Sequence, residues 1–176
     1  MKFVSTELEG VYTIEIEKFE DERGFFARAW CAKEFEAAGM NPNLVQGNIS
    51  YCGHRGTLRG MHYQAAPYEE AKCVRCTRGA IYDVCIDLRP ESPSFLKWTG
   101  VELSAQNHRL IYIPEGFAHG YVTLVDNTEI FYLVSQYYAP EYERGVRWDD
   151  KRFSIDWPIT DVIISEKDKT WPDFKE

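Results

Sequence analysis

Ile113-Pro114-Glu115-Gly116-Phe117-Ala118-His119-Gly120 is the stretch on which the fold of this chain turns. Pro114-Glu115-Gly116 is turn chemistry; it closes one β-rich run, Arg109–Ile113, and leads through His119 into another, Gly120–Thr123. Outward from this point the same alternation continues. Val11–Ile16, Gly24–Trp30, Gly56–Tyr63, Ala71–Thr77, Ala80–Leu88 and Lys97–Leu103 precede it, and Thr128–Tyr137 follows. Arg78-Gly79, Arg89-Pro90-Glu91-Ser92-Pro93 and Asp126-Asn127 punctuate the gaps. There is no repeat and no linker, so the pattern predicts one all-β domain over residues 1–176. Only Cys31–Ala38 reads as a helix, with Gly39 placed for a left-handed cap, and a second helical turn is expected near Ser165–Asp168.

Alternation assigns faces to the strands. Ala80–Leu88 sets Ile81, Asp83, Cys85 and Asp87 against Tyr82, Val84, Ile86 and Leu88. The second set reads as core between sheets; the first reads as polar, facing solvent or, in a small barrel, the lumen. Thr128, Ile130, Tyr132, Val134 and Gln136 form an apolar wall with one phenol in it, a position usually held by a structural hydrogen bond.

The charge balance is 20 basic against 28 acidic residues, or −8, which disfavours nucleic acid and anionic membranes as partners. With 44% hydrophobic and 15% aromatic residues the chain can bury a real core. Glu7 and Glu9 stand where a signal peptide needs an apolar stretch, and no later run approaches bilayer-spanning length, so a cytoplasmic location is expected. Five cysteines, an odd number, argue for free thiols in a reducing compartment. Cys73-Val-Arg-Cys76 lies in an extended run, where residues three apart point to opposite faces, so core thiols are expected rather than a redox pair or zinc site.

The spacing from Pro114 through Gly116 to His119 matches the second half of a cupin barrel motif and points to a jelly roll. Metal-binding cupins add an earlier H-x-H and a glutamate, because a divalent ion needs three or four convergent ligands. Here that segment reads Arg59-Gly-Met-His62-Tyr-Gln64, with Gln64 where the second histidine is required. The first motif thus offers one imidazole and no chelate. His54 and His108 fall in turns. No metal and no cofactor are expected.

A longer series of motifs carries a family resemblance. Asp21-Glu-Arg-Gly-Phe-Phe26, Arg59–Gln64, Lys72 with Val74-Arg75, Trp98–Ser104, Ile113–Gly120, Tyr137–Gly145, Ile155–Pro158 and Ser165–Asp168, in this order, resemble the dTDP-4-dehydrorhamnose 3,5-epimerase family from about residue 20 to about residue 170. The resemblance implies a metal-free jelly roll, dimeric, acting on a nucleotide-linked 4-keto-6-deoxyhexose. It puts the general base on His62, its supporting carboxylate on Asp168, the lysine near the keto oxygen on Lys72 and the acid on Tyr132. It puts substrate contacts on Arg23, Phe26, Arg28, Gln46, Asn48, Arg59, His119, Glu143 and Lys167, and base stacking on Tyr138. Arg28 stands where the family commonly has Glu, Leu133 where it has Lys, and Gly47 interrupts the Gln–Asn segment differently.

The chemistry explains the residue types. A C–H beside a ketone is acidic only as far as the enolate oxygen is stabilised, so an epimerase needs a base, an electrophile at that oxygen, and an acid on the opposite ring face. An imidazole paired with a carboxylate, an ammonium and a phenol supply these parts. One conflict is visible: Arg59 and His62, three apart on a regular strand, would face opposite sides unless Gly60 hosts a bulge. Two other readings remain on the sequence: a non-catalytic cupin that binds a sugar nucleotide, and an epimerase that inverts one centre only or uses another nucleotide. Gln64 weighs against a metal-dependent cupin oxygenase.

Overall fold

A computed structural model describes residues 1–175. In chain order its elements are β1 (Lys2–Ser5), β2 (Tyr12–Glu15), β3 (Lys18–Asp21), β4 (Gly24–Ala27), α1 (Ala32–Ala37), β5 (Gln46–Cys52), β6 (Thr57–Gln64), β7 (Lys72–Arg78) and β8 (Ala80–Asp87). They continue with β9 (Trp98–Ser104), β10 (Leu110–Ile113), β11 (Phe117–Thr123), β12 (Thr128–Val134), β13 (Glu143–Gly145), β14 (Ile163–Ile164) and α2 (Glu166–Lys169). One sheet runs β1-β2-β10-β7-β12-β5; the other runs β13-β6-β11-β8-β9, with β14 parallel to β6. β3 and β4 form a separate two-stranded ribbon. This is the predicted jelly roll.

The two main sheets close on each other over Val74, Cys76, Ile111, Ile113 and Ile130 from the first, and Ile81, Cys85, Leu103, Phe117 and Tyr121 from the second. Both outer faces are covered as well. On the first, α1 seats Phe35, fully buried, among Ile14, Cys73, Leu110 and Tyr112, a burial worth roughly 1.5–3 kcal/mol. On the second, Val146, Phe153, Trp157 and Ile159 of the C-terminal segment pack on Leu58, Val84, Ile86, Ala118 and Val122. β10 and β11 are therefore buried along their whole length, which is why their sequences run apolar without alternation.

The face assignment of β8 needs correcting. Tyr82, Val84 and Ile86 do not lie between the sheets; they meet the C-terminal segment on the outside, while Ile81 and Cys85 fill the interior and Asp83 is fully buried on that same side. Periodicity separates two faces but cannot say which one a later segment will cover. The strand ending at Trp30 stops at Ala27, that ending at Tyr137 stops at Val134, and β11 starts earlier than expected, at Phe117. β5 had no strand signal because its pattern is inverted: Ile49 and Tyr51 point outward, 69% and 50% exposed, while Asn48 and Ser50 share the inner face with Tyr132 and Ile130, their register partners. α1 begins after Cys31, and Gly39 follows it at φ +78°, as the cap reading required. The five cysteines are free. Cys73 lies under α1 and Cys76 between the sheets, and burial pushes their thiols up to about 12 and about 11.

Candidate active site

The conflict between Arg59 and His62 is resolved at Gly60. His62 pairs with His119 and Arg59 with Tyr121, so β6 spends three steps where β11 spends two, and the extra residue is a bulge. Gly60 takes φ +126°, and a Cβ on it would stand 2.6 Å from Gly120 Cα and 2.8 Å from the His119 carbonyl oxygen. Only glycine fits this crossing of backbones. The bulge turns both Arg59 and His62 toward the lumen.

There the sheets leave two adjoining chambers, of about 370 and 310 Å³, with His62, Lys72 and Tyr132 in the walls of both. Gln46, Asn48, Gln64, Glu70, Tyr138 and Glu143 complete the first; Ser50, Arg59, His119 and Tyr121 are in the second. The volumes suit a small polar ligand. His62 belongs to one sheet, Lys72 and Tyr132 to the sheet facing it, so a ring bound between them has the imidazole on one side and the phenol on the other.

β14, laid parallel on β6, delivers α2 to the base of this wall. Ser165 caps the helix by accepting the Asp168 N–H at 3.1 Å, which turns the Asp168 carboxylate onto His62: Oδ1 lies 2.6 Å from Nε2. Burial pushes the Asp168 carboxyl up, but the His62 ring, the Gly60 amide and Ser165 outweigh it and hold the group below its usual range, ionised. With Nε2 engaged, Nδ1 is the nitrogen left to take a proton. A second pair lies deeper: His119 Nε2 is 2.9 Å from Oδ2 of the fully buried Asp83.

Lys72 Nζ is 3.2 Å from Glu70 Oε1, and both side chains are nearly buried. Burial raises the Tyr132 phenol, and Glu70 adds to this while Arg59 opposes it, so Tyr132 holds its proton. Burial likewise raises Tyr121, whose hydroxyl sits 2.8 Å from Ser50 Oγ. Among the described residues Arg59 forms no ion pair; its Nη2 lies 3.5 Å from the Tyr51 carbonyl oxygen, and its guanidinium also meets the Cys52 side chain, a contact that holds it above its usual range. Gln46 Nε2 donates to Asn48 Oδ1 at 3.0 Å. Beside them Glu143 Oε2 accepts from Tyr138 Oη at 2.7 Å and Lys167 Nζ at 2.6 Å.

Three expected contacts stand apart from this cavity. Arg23 pairs with Asp21 on the exposed ribbon, Phe26 is 73% exposed, and Arg28 pairs with Glu34 of α1. Conversely, Asp83, Glu70, Tyr121 and Ser50 line or support the site without having been singled out for it. Asp83 was signalled by its place on the polar face of β8, and Glu70 by standing two residues before Lys72. Gln64 is committed elsewhere: its Oε1 accepts the Ala139 N–H at 2.6 Å and its amide nitrogen lies 2.9 Å from the Tyr68 carbonyl.

The family model for dTDP-4-dehydrorhamnose 3,5-epimerase matches residues 5–176. The dTDP-4-dehydrorhamnose 3,5-epimerase of Shigella flexneri is 45% identical over 169 residues, covering 96% of this chain and 93% of that one. The crystal structure of the enzyme of that name from Elizabethkingia anophelis superposes with a TM-score of 0.96 at 44% identity, over 99% of this chain and 96% of that one. A dTDP-6-deoxy-D-glucose-3,5-epimerase from Legionella pneumophila, solved with dTDP-4-keto-L-rhamnose, gives 0.92 at 37% identity, over 98% and 92%.

Proposed function

From the premise that the chain belongs to the dTDP-4-dehydrorhamnose 3,5-epimerase family, we propose that this isomerase inverts C3 and C5 of a dTDP-linked 4-keto-6-deoxyhexose in the cavity between its sheets. The observation that carries the assignment of roles is the opposition of His62 and Tyr132 across that cavity, with Lys72 beside both. His62 removes the α-proton, and Asp168 fixes its tautomer and stabilises the imidazolium that forms. The electron pair moves onto the C4 oxygen, where the Lys72 ammonium stabilises the enolate; such a contact in a desolvated site is worth about 3 kcal/mol of barrier. Tyr132 then protonates the carbon from the other face. C3 and C5 flank the same carbonyl, so one electrophile serves both centres.

Arg59 is the cation available to the diphosphate of the substrate, and Tyr138, 54% exposed, is placed to stack on its base. Arg23, Phe26 and Arg28, which do not reach the cavity of their own protomer, act in a homodimer by entering the partner's site. Exposed Phe19, Phe25 and Phe26 on the ribbon, and Ile49 and Tyr51 on edge strand β5, are the apolar surface such a dimer would cover. No helix among the described residues is long and apolar enough to cross a membrane. Free cysteines and a nucleotide-sugar substrate both suit the cytoplasm.

Proton NMR in D₂O with dTDP-, CDP- and GDP-linked 4-keto-6-deoxyglucose tests this reading. Deuterium entering C3 and C5 of the dTDP compound, with inversion at both, is the expected result. Absence of exchange with every nucleotide would overturn it.

A further inference from the structure

Glu70 precedes β7, and its side chain is only 13% exposed. Its two oxygens have different partners: Oε1 lies 3.2 Å from Lys72 Nζ, and Oε2 lies 3.3 Å from Gln64 Nε2. Gln64 is itself 3% exposed and anchored to backbone on three sides, through Ala139 N at 2.6 Å, Tyr68 O at 2.9 Å and Tyr137 O at 3.2 Å. Hydrogen bonds therefore run from the chain through Gln64 and Glu70 to the ammonium, the two N–H bonds of the Gln64 amide being shared among Tyr68 O, Tyr137 O and Glu70 Oε2. The position where a metal cupin needs its second histidine is used here to aim a carboxylate.

A carboxylate is an awkward neighbour in a cavity that must stabilise an enolate, because its charge opposes the one that develops. A buried lysine raises the opposite problem: its four-carbon stem is flexible and its ammonium is costly to bury unpaired. An anchored anion on one N–H answers that problem and leaves two N–H bonds for the keto oxygen. We propose that Glu70 is a positioning residue that holds the Lys72 ammonium aimed at the C4 oxygen of the substrate. The inference rests on the role given to Lys72 above. The field of Glu70 also reaches Tyr132, where it adds to burial in keeping the phenol protonated.

A double-mutant cycle between Glu70→Gln and Lys72→Met, followed by steady-state turnover and by deuterium exchange, tests the coupling. In the parent background Glu70→Gln is expected to lower kcat about tenfold or more while KM changes by less than about threefold. Glu70→Asp, which keeps the charge on a shorter stem, should fall between the two. In the Lys72→Met background Glu70→Gln should have no further effect, because the group it acts through is gone. An unchanged kcat in Glu70→Gln, a loss confined to KM, or an equal fold-loss in both backgrounds would each overturn the proposal. A parent protein without activity on any 4-keto sugar would instead overturn the function itself.

Discussion

His62 and Tyr132 make different demands on the reaction, and substitutions of similar shape separate them. His62→Asn removes the proposed base opposite Lys72, so solvent deuterium exchange and product should both disappear. Tyr132→Phe keeps the ring that packs against the interior and removes only the hydroxyl. The enolate can still form, and His62 can return a deuteron to the face it came from. Exchange at one α-carbon should continue while inversion falls by roughly a hundredfold or more, the usual size of general acid catalysis. Parallel loss of exchange and inversion in Tyr132→Phe, with dTDP still bound, would mean that the phenol helps to form the enolate. The residues proposed to meet substrate directly were readable because their side-chain chemistry matches the reaction and they stand in the family's order. Asp83 and Glu70 were not: Asp83 meets His119 only when β8 pairs with β11, and Glu70, though two residues before Lys72, shows its contact only once both side chains are placed. For Arg59 the sequence posed the orientation as a conflict and named Gly60 as a place for the bulge that would resolve it, which is where the register shifts.

That orientation belongs to β6 as an element. Without the bulge, Arg59 and His62 would straddle the strand, one toward the C-terminal segment and one toward the lumen. Gly60→Ala puts a methyl group against Gly120 and the His119 carbonyl, and does so at a φ of +126°. Neither neighbour is a flexible side-chain end, so the strand pair itself must shift. Roughly 3 kcal/mol or more of stability should be lost, together with most of the activity. Gly53→Ala is the control, since its Cβ meets nothing within 4 Å; it should stay within about 0.5 kcal/mol of the parent. Urea unfolding of both variants gives the comparison, and equal stabilities would show that β6 tolerates a different route. β5 is the contrasting case. Its polar residues face inward because the inside of this region is a polar cavity, and Ile49 and Tyr51 face outward, so a rule built on apolar cores passes over it. Elements that build a pocket are the ones least visible to hydrophobic patterning.

At the scale of the whole molecule the same inversion marks one side of the barrel as unfinished. Apolar side chains fill the space where β8 and β9 face β10 and the end of β7, whereas the half bounded by β5, β12 and β6 is polar within and carries bare Ile49 and Tyr51 outside. The β3–β4 ribbon, with Phe19 at 70% and Phe26 at 73% exposed, pairs with no other strand among the described residues. Turns and strand spacing gave the all-β class and the Pro114-Gly116-His119 motif the jelly roll, but an exposed aromatic reads the same whether it awaits solvent or a partner. A mixing experiment distinguishes them. If each ribbon completes the site of the other protomer, a chain carrying His62→Asn has a dead site and a sound ribbon, while one carrying Arg23→Ala and Phe26→Ala has a sound site and a poor ribbon. Separately, both preparations should be weak or inactive. Unfolded together in equal amounts and refolded, they should form about half heterodimers, and in each of these one site has the intact His62 together with the intact ribbon. Activity should therefore recover to about a quarter of the parent value, the share of sites that are whole. If the ribbon serves its own protomer, or the protein works as a monomer, mixing restores nothing and the activity stays at the average of the two preparations.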